Sequence, residues 1–136
     1  MASIVSYQKF IDSDRTVEIA LPEDEETHQK IGTELATIDG VTYVSIPDDL
    51  ILPKQPKEIK VIVVTLSQSI KDAIYACSPH IALINNQVKS QIAEKYSIED
   101  EIKLLRTQPS AAFTAYNSTV EAIRALGKAK KAALGL

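Results

Sequence analysis

The 136-residue chain has no tryptophan, two phenylalanines, four glycines and a single cysteine. With one cysteine, Cys77, an intramolecular disulfide is excluded. Cys77 falls on the apolar side of a predicted helix, so we expect it to pack as a small hydrophobic side chain rather than act as a nucleophile. The scarcity of aromatic residues predicts a mostly aliphatic core. A chain of this length can bury such a core without disulfides or metals.

Catalytic, phosphate-binding and metal-binding motifs are also missing. The two histidines, His28 and His80, are distant in the sequence and there is no glycine-rich loop, so nothing places a nucleophile beside an oriented base. The acidic run at residues 23–26 precedes His28, but its carboxylates lack the alternating spacing of a Ca²⁺ loop. This run favours a solvated loop or the first turn of a short helix. We expect a protein that is not an enzyme and uses no metal or cofactor.

Long apolar runs are absent as well. No stretch reaches the ~18–20 apolar residues of a membrane span, and the N-terminus lacks the pattern of a secretory signal. Residues 1–60 carry 12 acidic and 6 basic side chains, whereas residues 61–136 carry 6 and 9. Solvated faces, surfaces for different partners, or packing of like chains would each explain this asymmetry. The positive charge and the aromatics are too few for nucleic-acid binding, so we expect neither nucleic acid nor membrane as a partner.

The first part of the chain, residues 1–46, predicts a small antiparallel β-meander. Residues 3–10 are rich in strand formers, and residues 16–21 place Val17, Ile19 and Leu21 on one face; together they predict a first hairpin. A second hairpin is predicted at residues 35–46, where Asp39-Gly40 suits a type I′ turn. We expect a sheet of about four strands.

Residues 47–64 predict a proline-rich connector. Pro47, Pro53 and Pro56 exclude a helix interior and a central strand. Residues 60–64 are mostly β-branched and predict a short buried strand, although periodicity alone does not distinguish this from a helix. If this strand lies at a sheet edge, it becomes the natural site for pairing with another chain.

Residues 65–136 predict a helical region, so the fold class is α+β. Thr65 and Gln68 match a capping box, Ser78-Pro79 and Ser97 mark two further helix starts, and Ser110 a fourth. An i,i+4 ion pair is predicted between Glu99 and Lys103. The apolar stripes expected to pack are Leu66, Ile70, Ala73, Ile74 and Cys77; Ile81, Ile84, Val88 and Ile92; and Phe113, Tyr116, Val120, Ile123 and Gly127.

One segment carries a family resemblance. Residues 96–106, Tyr-Ser-Ile-Glu-Asp-Glu-Ile-Lys-Leu-Leu-Arg, are followed at helical spacing by Tyr116, Val120, Glu121 and Arg124. This pattern, preceded by short strands and a proline-rich middle, resembles small phage tail proteins known as tail-fibre assembly or accessory proteins. The resemblance mainly covers residues 47–136. It implies a chaperone-like or virion component made in the host cytoplasm, whose partner is a tail fibre or baseplate subunit, and it implies no catalytic residues.

The resulting hypothesis is a non-enzymatic protein–protein interaction protein, with self-association as a further option. Its helices would dock onto a partner, or strand 60–64 would join a partner's sheet. The candidate packing or docking residues are Ile81, Val88, Ile102, Phe113 and Tyr116. The alternative hypothesis is a small-molecule-binding or regulatory domain, with a pocket between sheet and helices that involves Tyr43 or His80.

Overall fold

The computed structural model describes residues 2–136 and confirms the α+β class. Within these residues, four strands precede four helices. They are β1 (Ala2–Gln8), β2 (Thr33–Ile38), β3 (Val41–Pro47), β4 (Ile62–Val63), α1 (Gln68–Cys77), α2 (Pro79–Lys95), α3 (Ile98–Arg106) and α4 (Ala111–Ala133). The chain divides into two compact units, Met1–His80 with Ala132–Leu136, and Ile81–Lys131. We call them the sheet unit and the helical unit.

The strands form one antiparallel sheet in the order β2-β3-β1-β4. The β2–β3 hairpin is confirmed at its predicted turn, since Asp39 and Gly40 both have positive φ, 51° and 80°, as a type I′ turn requires. However, β1 pairs with β3 and not with the segment that follows it. The strand order is therefore not that of a simple meander.

The predicted strand at residues 16–21 is wrong. An isolated bridge joins Phe10, just beyond β1, to Thr16, and the Val17 N–H donates to the Lys9 carbonyl at 2.9 Å, so the predicted first hairpin forms only around its turn. The Gln55 side chain takes the place of a partner strand: its Oε1 accepts from the Ala20 N–H at 2.8 Å, and its Nε2 donates to the Ala20 carbonyl at 2.9 Å. The predicted apolar face is nevertheless used, because Ile19 is buried. The Gln55 side chain thus provides the hydrogen bonds of the Ala20 N–H and C=O, which in a strand would come from a neighbouring strand.

The acidic run at residues 23–26 forms a solvated turn, one of the two predicted readings. Asp24 Oδ1 accepts from the backbone N–H of Glu26 and of Thr27, each at 2.9 Å. These bonds, that of Thr27 above all, hold the pKa of Asp24 below its usual value.

Both faces of the sheet are covered, which explains why four consecutive residues of β1, from Ile4 to Tyr7, are buried. On one face the buried residues are Val5, Tyr7, Ile19, Val44, Ile46 and Ile59. On the other, Ile4, Leu35 and Ile74 of α1 form a second cluster, joined by Leu134 and Leu136. The sheet unit therefore includes α1 and the end of the chain.

The proline-rich segment packs against the sheet instead of separating two domains. Leu50, Leu52 and Val61 lie against the first apolar cluster, and Ile59 is buried within it. In the sequence, the first segment of the sheet unit therefore ends at His80 and the helical unit begins at Ile81. The predicted boundary lay earlier, in residues 47–64. The backbone there is irregular because its prolines cannot donate hydrogen bonds, yet its leucines bury apolar surface.

Two details of α1 differ from the prediction. The helix begins after Ser67, whose Oγ accepts from the Ile70 N–H at 3.2 Å, so Thr65 is not its N-cap. Cys77 is exposed, contrary to the expected buried position. Ser78, four residues after the buried Ile74, is buried instead. The buried side of the helix therefore continues through Ser78, and Cys77, the last helical residue, faces solvent.

The helical unit follows its predicted starts. Ser97 and Asp100 form the reciprocal capping box of α3, and Ser110 Oγ accepts from the Phe113 N–H at 3.0 Å. Pro79 is the first residue of α2, but no hydrogen bond from the Ser78 side chain accompanies it within residues 2–136. The predicted stripes are confirmed in their buried members, Ile81 and Ile84 of α2 and Val120, Ile123 and Gly127 of α4; their other members are half-buried.

Candidate functional site

Strand β4 is one edge of the sheet and carries exposed apolar side chains. Val5 pairs with Val63 and Ser6 pairs with Ile62. Ile62 is 53% exposed and Val63 is 77% exposed. Cross-strand neighbours share a face, so Ile62 lies on the Ser6 face and Val63 on the Val5 face. The edge therefore presents apolar surface on both sides, an arrangement that favours pairing with another strand. The segment is a strand as predicted, but it is not buried.

The hydrogen bonds of β4 show which backbone groups face outward. The Val64 N–H donates to the Ile4 carbonyl at 2.9 Å. In an antiparallel pair, hydrogen-bonded and non-hydrogen-bonded residue pairs alternate. Val63, opposite Val5, therefore occupies a non-hydrogen-bonded position relative to β1. Its N–H and C=O point away from the sheet, where an incoming strand can reach them.

A groove of about 290 Å³ adjoins this edge. Its lining residues are Ser6, Tyr7, Gln8, Val41, Glu58, Lys60 and Ile62. It lies where β1 continues to Gln8 but β4 does not pair with it. Burial raises the pKa of the Tyr7 hydroxyl above its usual value. The groove thus combines an apolar wall with the charged side chains of Glu58 and Lys60.

A second apolar surface lies on α3 in the helical unit. Ile98, Ile102 and Leu105 are 75%, 47% and 53% exposed. Their spacing of four and three residues places them along one side of the helix; we call them the α3 stripe. The half-buried residues of α3 are Glu101 and Leu104, so the stripe is distinct from the side of α3 that packs.

A groove of about 370 Å³ opens beside Ile98. Its other lining residues are Lys89, Ile92, Ala93, Tyr96, Ser97 and Glu101. Ile98 belongs both to this lining and to the α3 stripe, so the groove adjoins the stripe at its Ile98 end.

The five residues predicted to pack or dock separate into two groups. Ile81 is 1% exposed, and Val88 contacts α4, since a Cβ built on Gly127 would lie 2.5 Å from Val88 Cγ2. Phe113 and Tyr116 pack their rings 6.1 Å apart. These four serve packing within the protein. Ile102 alone is well exposed and remains a candidate for docking.

Tyr116 connects α4 with α3 and with the end of α2. Its ring meets that of Tyr96 edge-on at 4.9 Å, and its hydroxyl donates to Glu101 Oε1 at 2.9 Å. Burial, and secondly the bond to Glu101, raise the pKa of the Tyr116 hydroxyl. The arrangement is that of a structural tyrosine, since its polar end and its ring both have partners.

We expect Tyr116→Phe to lower the free energy of unfolding of the helical unit by about 1 kcal/mol, because the substitution removes the bond to the Glu101 carboxylate but keeps the ring. Urea unfolding followed by circular dichroism measures the change. Tyr75→Phe in α1 is the control and should leave the helical unit unchanged. A Tyr116→Phe protein as stable as the wild type would show that the hydroxyl contributes nothing.

The alternative site residues are not brought together. Tyr43 packs against the second apolar cluster of the sheet unit, and His80 is exposed. Neither lines the two grooves described above. Among residues 2–136, no cluster of His, Cys, Asp and Glu side chains has the arrangement needed to hold a metal ion. Over the same residues, no helix is both long enough and apolar enough to cross a membrane.

Sequence reasoning missed Ile98 and Leu105 as surface residues. Their signal was present, because they share the helical spacing of Ile102, but the same spacing also fits a buried stripe. The Glu99–Lys103 ion pair is not formed within the described residues.

Comparisons of the chain with protein-family models, with known proteins and with solved structures find no match.

Proposed function

We propose that the chain is a non-enzymatic protein–protein interaction protein whose sheet accepts an extended strand of a partner along β4. The observation that carries this proposal is the outward-facing backbone of Val63, flanked by the exposed side chains of Ile62 and Val63. Main-chain hydrogen bonds would supply affinity, and side-chain pockets on either face would supply specificity, as in other cases of β-strand addition.

The surroundings of β4 favour a strand over a helix as the occupant. The outward-facing N–H and C=O belong to a single strand residue, Val63, and an extended backbone can pair with both of them as the next strand of the sheet. β4 is two residues long, so a longer incoming strand would extend past it. The expected ligand segment carries apolar side chains at successive positions, because successive residues of a strand point to opposite faces and the edge is apolar on both.

The identity of the partner follows from the resemblance of residues 47–136 to tail-fibre assembly and accessory proteins. A tail fibre or baseplate subunit, rich in β-structure, is the proposed partner. The chain would act in the host cytoplasm during assembly, as a chaperone-like factor or as a component that enters the virion tail. Capping a partner's strand until assembly is a function that needs no catalytic residue, and none is proposed.

Val63→Pro tests this proposal with little effect on the sheet itself. It removes the Val63 N–H, which faces an incoming strand, whereas the Val64 N–H that binds β1 remains. The tagged chain is purified under native conditions from its own source, and co-eluting proteins are identified by mass. We expect a stoichiometric, long, β-rich companion with the wild type and with the control Val63→Thr, and a loss of about tenfold or more with Val63→Pro.

A second variant tests the same edge without the backbone strain that a proline can introduce. Ile62→Lys keeps every backbone group but places a charge on the apolar edge, a device that natural edge strands use against pairing; it should also release the companion. Equal amounts of companion with all four chains, or recovery of each chain alone, would contradict the proposal.

A further inference from the structure

We infer that the α3 stripe is a self-association site, at which a second copy of this chain packs its own α3 antiparallel to the first. This site lies in the helical unit and does not involve β4. It therefore does not depend on the proposed strand addition, and either idea can fail alone.

The apolar part of the stripe is self-complementary. Ile98, Ile102 and Leu105 follow the four-three spacing of a helix–helix seam. When two copies of α3 run antiparallel about an axis near Ile102, Ile98 of each lies opposite Leu105 of the other. Two Ile102 side chains then meet near the axis. Each Leu105 would reach the mouth of the groove beside Ile98 on the facing copy.

The charges beside the stripe specify the antiparallel direction. Glu99 and Arg106 are two turns apart and lie on the same flank of the stripe. In a two-fold antiparallel pair that flank faces its own symmetry mate, so Glu99 of each copy lies opposite Arg106 of the other. In a parallel two-fold pair this flank would instead face the opposite flank of the other copy, and Glu99 and Arg106 would not meet. Charge pairs at such flanking positions are known to set orientation and partner choice.

Both charges are free to make these contacts. Glu99 and Arg106 are exposed, and neither forms an ion pair with another of residues 2–136. The nine-residue helix offers less surface than the ~800 Å² per partner of a standard stable interface. The dimer is therefore weak and reversible, and it should lose affinity as the salt concentration rises.

Charge reversal with mixing tests this inference. Glu99→Arg makes both flanking positions of the chain basic, and Arg106→Glu makes both acidic. By sedimentation equilibrium at low salt, we expect the wild type to dimerise and each variant alone to associate about tenfold more weakly. An equimolar mixture of the two variants should recover the association, because each basic flank then faces an acidic one. Glu25→Arg, a matched charge change in the sheet unit, should dimerise like the wild type.

Two further variants distinguish association through the α3 stripe from association through β4. Ile102→Asp should abolish association without unfolding the protein, because about half of Ile102 is already exposed to solvent. Val63→Pro should leave it unchanged. A wild type that stays monomeric, or a mixture of folded charge variants that fails to associate, overturns the inference. Dimerisation lost in Val63→Pro and kept in both charge variants also overturns it, because the second copy would then pair along β4.

Discussion

Replacing Ile74 by alanine is expected to lower the free energy of unfolding of the sheet unit by about 3–4 kcal/mol. Ile74 is fully buried and is the α1 residue at the centre of the cluster that contains Ile4 and Leu35. The substitution removes apolar contacts and leaves a cavity between helix and sheet. Urea unfolding of variant and wild type, followed by circular dichroism, gives the difference.

Ile51→Ala is the matched control for this experiment. Ile51 is 89% exposed, so the same chemical change should alter stability by no more than about 0.5 kcal/mol. Amide hydrogen exchange assigns the Ile74→Ala loss to the sheet unit if the amides of β1 and β3 exchange faster. Equal stabilities of the two variants would mean that α1 does not cover the sheet.

Replacing Gly127 by leucine is expected to lower the free energy of unfolding of the helical unit by about 2–3 kcal/mol. Glycine in a helix interior is ordinarily unfavourable by about 1 kcal/mol, so a larger residue would be stabilising in open space. Here even a Cβ would lie 2.5 Å from Val88 Cγ2. Val88 is β-branched and cannot rotate away easily within α2, so the two helices must separate.

Ala129→Leu on the exposed surface of the same helix is the control and should leave stability nearly unchanged. The double variant Gly127→Leu with Val88→Ala should recover part of the loss, because it opens room for the new side chain. If Gly127→Leu is as stable as Ala129→Leu, α2 and α4 do not approach each other closely at Gly127.

Local sequence signals predicted much of this fold. The Asp39-Gly40 turn, the Ser97 capping box and Pro79 each act through the backbone of a few neighbouring residues, so they are readable without knowledge of the tertiary structure. The stripe that ends in Gly127 is similarly local, since its spacing alone defines one side of a helix.

Long-range pairing was not predictable in the same way. Nothing in residues 16–21 indicates that Gln55 would hydrogen-bond Ala20 from 35 positions away, so the sequence does not show that the first hairpin ends after its bridge between Phe10 and Thr16. The same limit applies to exposure. Ile81 and Ile102 both lie on apolar helical stripes, and only the packing of the helical unit makes the first buried and the second exposed.

The candidate sites are apolar surfaces, which sequence patterns do not distinguish from core. Residues 60–64 predict a buried strand that pairs with another chain if it lies at an edge; the strand forms at the edge, and its side chains are exposed. The edge position of β4 follows from the pairing of β1 with β3 on its other side. The function proposed here depends on that topology more than on any single residue.

The most direct test is hydrogen exchange at the Val63 amide, in the free chain and in the complex with its co-purified partner. In the free chain this amide should exchange quickly, whereas the Val64 amide, bonded to the Ile4 carbonyl, should be protected. In the complex the Val63 amide should become protected as well, since a partner carbonyl then accepts its hydrogen bond. A Val63 amide that exchanges equally fast in the free chain and in the complex would contradict strand addition along β4.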